Sequence, residues 1–251
     1  MYGAFKTELD LPRTPVTFTY LILAQPRTGS TMITSALHAS GLAGVPIEYF
    51  NLQHIRQLPK PLNLAAVQKY YADVVSRRTT ANGVFGMKIH HDQFRHIFMP
   101  DGDLSPAGVK FLKSFDRLIL ASRRDKLAQA LSQLTAFRKG QWNSTEREHE
   151  GRQNYEFSSA DLLLIIDYLR DAVAGEALWN DICGRLALDP LRVVYEDLCR
   201  SPQAELARVV AHLGLPIDNP APQTIKLSRD SNRDGKLKFL REIGFEVGPP
   251  A

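Results

Sequence analysis

The architecture of the chain follows from the stretch Tyr20-Leu-Ile-Leu-Ala-Gln-Pro-Arg-Thr-Gly-Ser-Thr-Met-Ile-Thr-Ser-Ala-Leu37. The nearly unbroken apolar run from Tyr20 to Ala24 is typical of a parallel strand that is covered on both faces. A loop follows at residues 25–30, and a helix is predicted to begin near Ser30. A strand that turns directly into a helix aims free backbone N–H groups and the positive end of the helix dipole at one point. This joint therefore predicts an anion site.

The residues of this loop suit a phosphate-like group. Gly29 permits close approach of the backbone, Ser30 and Thr31 add hydroxyl donors, and Arg27 adds a positive charge. The P-loop pattern G-x-x-x-x-G-K-[ST] fits poorly, because Ala24 replaces its first glycine and Ser30 its lysine. The stretch is predicted to bind an anion without being the nucleotide loop of an ATPase. An ordinary strand–turn–helix with a glycine in the turn is the alternative.

Length and composition indicate one soluble α/β domain over residues 1–251. A chain of 251 residues can bury a substantial core. Its net charge of +4 is too small to argue for nucleic acid as a partner. The two cysteines, Cys183 and Cys199, indicate a reduced compartment. Neither a secretory signal nor an apolar run of membrane-spanning length is evident, so a cytoplasmic protein without membrane insertion is expected.

A second joint of the same kind lies further along the chain. The buried strand Leu118 to Ala121 ends in Arg123 and Arg124, and a helix that carries Ser132 follows. In an open parallel sheet, ligands bind in the crevice beyond the carboxyl ends of the strands. A ligand with two separated phosphate-like groups would use both joints. The alternative is that Arg123 and Arg124 form a solvated basic pair at the start of the helix.

Two further residues are candidates for chemistry. Glu48 lies in the segment Val45 to Phe50, predicted as a short strand or an extended loop, between apolar neighbours that could raise its pKa and suit a general base. A surface glutamate is the alternative. Lys88 lies inside the predicted strand Val84 to His90 and either reaches a ligand or extends to the surface.

Other polar clusters carry weaker predictions. The spacing of His90, His91 and His96 fits no zinc pattern, so no metal is expected there. The pair Glu196-Asp197 after the strand Leu191 to Tyr195 is interpreted as the acidic start of a helix, with a magnesium site as the alternative. The termini and one internal segment are predicted as an N-terminal surface arm at 1–15, a polar loop or lid at 138–160, and a basic tail at 227–238 that is solvated or covers the ligand.

Together these motifs resemble those of sulfotransferases. Leu23 to Thr31 is similar to their 5′-phosphosulfate loop. Arg124 and Ser132, eight positions apart, match the pair that holds the 3′-phosphate of the sulfonate donor. The segments Tyr195-Glu-Asp-Leu198 and Leu213-Gly-Leu-Pro216 recur there as well. The resemblance implies a P-loop-like fold with a mainly parallel central sheet flanked by helices.

Within that class, the bacterial trehalose 2-sulfotransferase-like family is most similar. Gly44-Val-Pro-Ile-Glu-Tyr-Phe50 matches its Gly-x-Pro-x-Glu-[Phe/Tyr]-Phe segment, and Phe85-Gly-Met-Lys88 also matches. The resemblance spans most of the chain and is weakest at 140–160. It departs at Val45, where an acid that meets sugar hydroxyls is expected, and at His91, where a tryptophan is expected. These departures concern the acceptor rather than the donor.

The resemblance implies 3′-phosphoadenosine 5′-phosphosulfate (PAPS) as the donor and 3′,5′-bisphosphoadenosine (PAP) as the product. The acceptor is expected to be a hydroxyl of a carbohydrate or glycolipid, with Glu48 as general base and Arg27 and Lys88 in catalytic roles. The metal-free donor site would comprise Pro26, Arg27, Thr28, Gly29, Ser30, Thr31, Arg124 and Ser132.

Three matters stay open at the level of sequence. A small-molecule kinase and a non-catalytic nucleotide-binding protein are the alternative functions. The identity of the acceptor cannot be read from the chain. The oligomeric state is also open, and a homodimer is one alternative because dimers occur in the resembled family.

Overall fold

The central sheet is parallel throughout, as the sequence predicts. The computed structural model describes residues 6–57, 64–140, 157–221, 223 and 231–245. Within them, four strands form one sheet in the order β2-β1-β3-β4. The strands are β1 (Phe18–Ala24), β2 (Val84–His90), β3 (Arg117–Ser122) and β4 (Leu191–Val194).

Helices cover both faces of this sheet. Short 3-10 turns lie at Thr7–Leu9 and Ser159–Asp161. The α-helices of the described residues are α1 (Ser30–Ala39), α2 (Leu52–Ile55), α3 (Leu64–Arg78), α4 (His91–Phe98), α5 (Pro106–Lys113), α6 (Lys126–Lys139), α7 (Leu162–Arg185), α8 (Tyr195–Arg200), α9 (Pro202–Leu213) and α10 (Ser231–Glu242).

The alternation of side chains along β1 divides the core into two layers. Leu21 and Leu23 face a cluster built from α3, α4, α5 and α7. Tyr20 and Ile22 face a second cluster built from α1, α8 and α9. Successive residues of a strand point to opposite faces, so a strand buried on both sides must be apolar at every position. This explains the unbroken apolar run of the sequence.

The order of the strands creates a crevice beside β1. The chain leaves β1 toward β2 on one side and then crosses to β3 on the other. The connections after β1 and β3 therefore diverge at the carboxyl end of the sheet, which is where open α/β sheets bind ligands. Both predicted anion joints lie at this point.

The local signals at the helix ends are confirmed with one correction. Asp125 accepts a hydrogen bond from the N–H of Ala128 at 2.8 Å and caps α6. Gly214 adopts the left-handed conformation after α9. The last strand was expected to reach Tyr195, but it ends at Val194 because Tyr195 already begins α8. Val45 to Phe50 is an extended loop rather than a strand.

The termini are more structured than the sequence indicates. Asp10 pairs with Arg77 at 2.9 Å and with Arg78 at 3.0 Å, so the described part of the predicted arm lies against the end of α3. Part of the predicted basic tail forms α10, because Phe239 just beyond it inserts into a third apolar cluster with α6 and α7. Lys236 of α10 pairs with Asp125.

The predicted polar loop and the expected lack of membrane insertion are tested only in part. Residues 141–156 of the predicted polar loop lie outside the described residues, and Phe157 at its far end is buried. In the described part of the chain, no helix combines the length and the apolar character that crossing a membrane requires.

Candidate active site

The anion loop, residues 25–29, connects β1 to α1 through two left-handed residues. Arg27 has a φ of 65° and Gly29 a φ of 77°. The carbonyl of Gly29 accepts the N–H of Met32 at 2.9 Å. The N–H groups of Ser30 and Thr31 open the helix and have no intrahelical acceptor. These groups, together with the dipole of α1, make this end of the sheet attractive to an anion.

Buried amide side chains fix the conformation of the loop. Gln129 of α6 donates from its Nε2 to the carbonyl of Pro26 at 2.9 Å and to Oε1 of Gln25 at 3.2 Å. The hydroxyl of Thr28 donates to the carbonyl of Gln25 at 2.8 Å. The Pro26 carbonyl and the Thr28 hydroxyl are thus used to shape the loop, which leaves the backbone to contact a ligand.

Gly29 is required for steric as well as conformational reasons. A Cβ atom at this position would lie 2.8 Å from Cδ2 of Tyr195. The ring of Tyr195 in turn supports the guanidinium of Arg123, whose Cζ is 4.3 Å from the ring centroid. The start of α8 therefore forms the floor beneath the anion loop.

Arg27 connects the two joints. Its Nε donates to Oγ of Ser132 on α6 at 3.0 Å. Burial lowers the pKa of Arg27, and the neighbouring positive charge of Arg123 lowers it further, against an opposing contribution from Tyr195. An arginine remains protonated despite such shifts. A positive charge that has lost part of its hydration gains from an anion placed beside it.

The two arginines of the second joint point in different directions. The side chain of Arg123 is only 5% exposed and donates from Nη1 to the carbonyl of Arg27 at 3.3 Å. The side chain of Arg124 is 56% exposed and pairs with Asp197 of α8. No contact joins Arg124 to Ser132 among the described residues. The interpretation of the arginine pair as a solvated surface is therefore wrong for Arg123.

Glu48 lies near the anion loop and is enclosed by polar partners. Its Oε1 is 2.9 Å from Nζ of Lys88, and its Oε2 accepts Nε2 of Gln93 at 2.8 Å and Nδ2 of Asn51 at 3.3 Å. Only 17% of the side chain is exposed. The alternative of a surface glutamate does not describe this environment.

The pKa of Glu48 is shifted in the opposite direction to the one expected. Burial is the largest single influence and raises the pKa. The charge of His90 in its protonated form, the charge of Lys88, and hydrogen bonds from Lys88 and Gln93 outweigh it and hold the pKa well below the usual range. Apolar sequence neighbours suggested a raised pKa, but they face the core whereas the carboxylate faces the lysine. Glu48 is thus an ionised carboxylate.

Lys88 connects this carboxylate to the anion loop. The carbonyl of Ile47 accepts the N–H of Lys88 at 3.0 Å, which fixes the loop of Glu48 along β2. Nζ of Lys88 lies 3.4 Å from Oγ1 of Thr31 at the start of α1. The side chain of Lys88 is only 7% exposed, so it points into the site and does not extend to the surface.

The loop of Glu48 approaches β2 through Gly44. This residue has a φ of 70°, and a Cβ atom there would lie 2.9 Å from the backbone nitrogen of Gly86. The following residue, Val45, is 1% exposed. Its side chain therefore belongs to the packing of the loop rather than to a surface that meets an acceptor.

The histidines do not converge on one point. His90 ends β2 on the face of Lys88, with Nε2 3.6 Å from Oε1 of Glu48. His91 points the other way, and its Nε2 lies 3.0 Å from Oδ1 of Asp171 on α7. Among the described residues, no three histidine, cysteine or acidic side chains are grouped as metal ligands. Glu196 and Asp197 occupy the first turn of α8, as the helix-start interpretation predicts. They also contact Arg124 of the second joint, which that interpretation did not include.

Sequence reasoning missed several residues of this region. Gln129 and Gln93 carry no motif of their own, and Tyr195 was noted only as the first residue of a recurring segment. The contacts of all three depend on helices that approach from elsewhere in the chain. Arg123 was noticed only as half of a basic pair.

Comparison with known proteins gives a consistent result. Residues 19–241 match the family described as Stf0 sulphotransferase. Trehalose 2-sulfotransferase of Mycobacterium tuberculosis (strain Erdman) is 28% identical, over 85% of this chain and 90% of its own. Trehalose 2-sulfotransferase of Mycolicibacterium smegmatis is 26% identical, over 78% and 84%. A crystal structure of a sulfotransferase from Alicyclobacillus acidocaldarius shares the fold, with a TM-score of 0.50 at 12% identity, over 91% and 93% of the two chains.

Proposed function

This chain belongs to the Stf0 sulphotransferase family and is a sulfotransferase, and on this basis we propose that it transfers a sulfuryl group from PAPS to a hydroxyl of a carbohydrate or glycolipid-type acceptor. Glu48 is the general base in this proposal, and the chain acts as one sulfotransferase domain. One observation carries it above all. Lys88 connects the carboxylate of Glu48, at 2.9 Å, to Thr31 of the anion loop, at 3.4 Å.

The donor fits the two joints because it carries two separated anionic groups. We assign its 5′-phosphosulfate to the anion loop, where the N–H groups of Ser30 and Thr31 and the guanidinium of Arg27 are available to it. Its 3′-phosphate is assigned to Ser132 and Arg124. The hydrogen bond from Nε of Arg27 to Oγ of Ser132, at 3.0 Å, supports this assignment. The residues assigned to the 5′-phosphosulfate and to the 3′-phosphate therefore lie side by side. Arg124 must leave Asp197 to take part.

The reaction in this proposal is an in-line displacement at sulfur. The acceptor oxygen forms a bond to sulfur while the bond from sulfur to the bridging oxygen of the donor breaks, and that electron pair leaves on the 5′-phosphate of PAP. Arg27 and the N–H groups of the anion loop stabilise the charge that develops on this phosphate. Positioning and charge neutralisation are the main requirements, as in phosphoryl transfer.

The proton of the acceptor hydroxyl passes to Glu48. An ionised carboxylate can accept it, and the low pKa of Glu48 keeps that state fully populated at neutral pH. A carboxylate held by a lysine is a weak base at rest. Movement of the Lys88 ammonium toward the sulfuryl oxygens during transfer would remove its stabilising charge and make Glu48 more basic at the moment when it is needed.

The class of acceptor is proposed from the curated relatives, whose names specify trehalose. Val45 and His91, where the sequence departs from the trehalose enzymes, are both buried, and His91 contacts Asp171 rather than the region of Glu48. The departures therefore do not by themselves argue against a sugar. Trehalose is the first acceptor to test.

Two measurements test the proposal. In the first, thermal unfolding is compared with PAP, ADP and Mg-ATP, and PAP alone is expected to raise the Tm substantially at concentrations far above its Kd. In the second, transfer of labelled sulfate from PAPS to trehalose and other sugars is followed. Stabilisation by Mg-ATP with magnesium-dependent consumption of ATP would instead support a kinase. Binding of PAP without transfer to any hydroxyl would refute the proposed reaction.

A further inference from the structure

We propose that His90 binds the acceptor through Nε2–H and that it selects a hydroxyl flanked by a second oxygen on the neighbouring carbon, as on a sugar ring. This inference rests on the proposed function, because it concerns the acceptor side of the same reaction. One hydroxyl would donate its proton to Glu48, and the neighbouring oxygen would accept a hydrogen bond from His90.

The position of the hydrogen on His90 follows from its contacts. The side chain of His90 accepts the backbone N–H of Gln93, which closes a capping box at the start of α4. Nε2 has no hydrogen-bond partner among the described residues, so Nδ1 is the accepting atom. A ring nitrogen that accepts a hydrogen bond carries no hydrogen, so the capping contact requires the neutral ring. Burial lowers the pKa of His90 in the same sense, against an opposing contribution from Glu48. The hydrogen bond pattern thus assigns the single ring hydrogen to Nε2.

This N–H is a buried donor without an acceptor. The His90 side chain is only 12% exposed, and the surface of the Nε2 atom is closed to solvent. A buried donor left without an acceptor destabilises the fold. This group lies beside the proposed base, and in the proposed complex the surrounding side chains move aside so that an acceptor oxygen satisfies it.

Glu48 offers one matching position for a hydroxyl. Its Oε2 already accepts Gln93 and Asn51, and its Oε1 accepts Lys88. A carboxylate oxygen has room for two hydrogen bonds, so one position on Oε1 is left. Oε1 is also the oxygen nearest to His90.

The distance between these two groups favours a pair of oxygens. Nε2 of His90 and Oε1 of Glu48 are 3.6 Å apart, too far for a direct hydrogen bond. Gauche oxygens on neighbouring carbons of a ring lie close to each other, and hydrogen bonds of about 2.7–3.0 Å would join one to each side chain. A single hydroxyl oxygen that accepted from His90 and donated to Glu48 would need a small angle between its two hydrogen bonds.

Two substitutions separate the roles of the His90 ring. In His90→Asn the amide oxygen can still cap α4, since asparagine is a favourable N-cap, but no donor remains at the position of Nε2. In His90→Gln a donor reaches that position while the cap is lost. If His90 acts only through the cap, Asn preserves function and Gln does not; binding of the acceptor predicts the reverse.

The first test is NMR of the full-length protein with ¹⁵N-labelled histidine in the presence of PAP. The probes are trans-cyclohexane-1,2-diol and cyclohexanol, which share one hydroxyl and differ in its neighbour. We expect the diol to shift the His90 Nε2 resonance and cyclohexanol to leave it nearly unchanged. Equal responses to the two alcohols, or none, would overturn the inference.

The second test compares kcat/KM for sulfation of the same two alcohols. We expect the wild-type preference for the diol to fall by about tenfold in His90→Asn, the equivalent of one hydrogen bond, and to be partly restored in His90→Gln. An unchanged preference in His90→Asn would refute the role of His90 while the proposed function stands. Failure of PAPS to sulfate any hydroxyl would instead count against the proposed function.

Discussion

The two βα joints that border the crevice differ in how much of their charge is buried. At the first, Arg27 and Lys88 are held inside by Ser132, Thr31 and Glu48. At the second, Arg124 is exposed and paired with Asp197. Buried charges have fixed positions and interact strongly, whereas exposed ion pairs are screened and exchange partners easily. In the proposed reaction, the first joint would therefore hold the reacting groups in fixed positions, and the second would bind the donor adjustably.

The largest expected effect comes from the carboxylate beside the first joint. Glu48→Gln should lower kcat by about 10²–10⁴-fold, because the acceptor proton loses its base, while the Kd for PAP stays close to that of the wild type. Turnover and calorimetric binding of PAP are measured in parallel, and the Tm shows whether Lys88 tolerates the loss of its partner. Unchanged turnover would remove Glu48 from the mechanism.

The next effect tests the anion loop. Arg27→Ala should weaken PAP binding by about 100-fold, since hydrogen bonds to charged groups contribute about 1.5–3 kcal/mol. Arg185→Ala is a matched control, because it removes the same charge from an exposed ion pair with Asp181 at the end of α7. Similar affinities of the two variants for PAP would contradict the buried role of Arg27.

A smaller effect is expected at the second joint. Arg124→Ala should weaken PAP binding by about tenfold, because its contact with the 3′-phosphate is screened by solvent. ADP, which lacks that phosphate, should bind the variant and the wild type alike. The control is Arg200→Ala, which removes another partner of Asp197. Wild-type affinity of Arg124→Ala for PAP would refute the assignment of the 3′-phosphate.

The smallest effect probes the competition for Arg124. Asp197→Asn releases this arginine from its ion pair, so PAP should bind about two- to fivefold more tightly, within the range of exposed ion pairs. Titration at low and at high salt provides the check, since the gain should shrink as salt screens the pair. Weaker binding of PAP by Asp197→Asn would mean that Asp197 orients Arg124 rather than competes for it.

Local signals in the sequence predicted much of the fold. The strands predicted from the apolar runs of β1, β2 and β3 are confirmed, because a strand between two helical layers is apolar at most positions. The end of α9 at Gly214 and the cap of α6 at Asp125 are confirmed because each depends on residues within one turn. The C-terminal helix α10 was missed because the predicted tail, residues 227–238, is mostly polar and its anchor, Phe239, lies just beyond it.

The candidate site was predicted less completely. The residues of the anion loop were identified, because the glycine and arginine stand at a strand–helix junction. The roles assigned to Glu48, Arg27, Lys88, Arg124 and Ser132 stay predictions until the variants above are measured. The pKa of Glu48 was misjudged, because sequence neighbours do not reveal which side chains meet across the fold.

The sequence by itself determined the parallel α/β class, the anion loop and the sulfotransferase family, since each depends on contiguous motifs and on the period of apolar residues. Only the tertiary structure decided that Arg123 is buried and Arg124 exposed, that Ser132 meets Arg27, and that Lys88 connects Glu48 to the loop. These contacts join residues from different strands and helices. Their charges depend on burial and on distances of a few ångströms, which no spacing along the chain can specify.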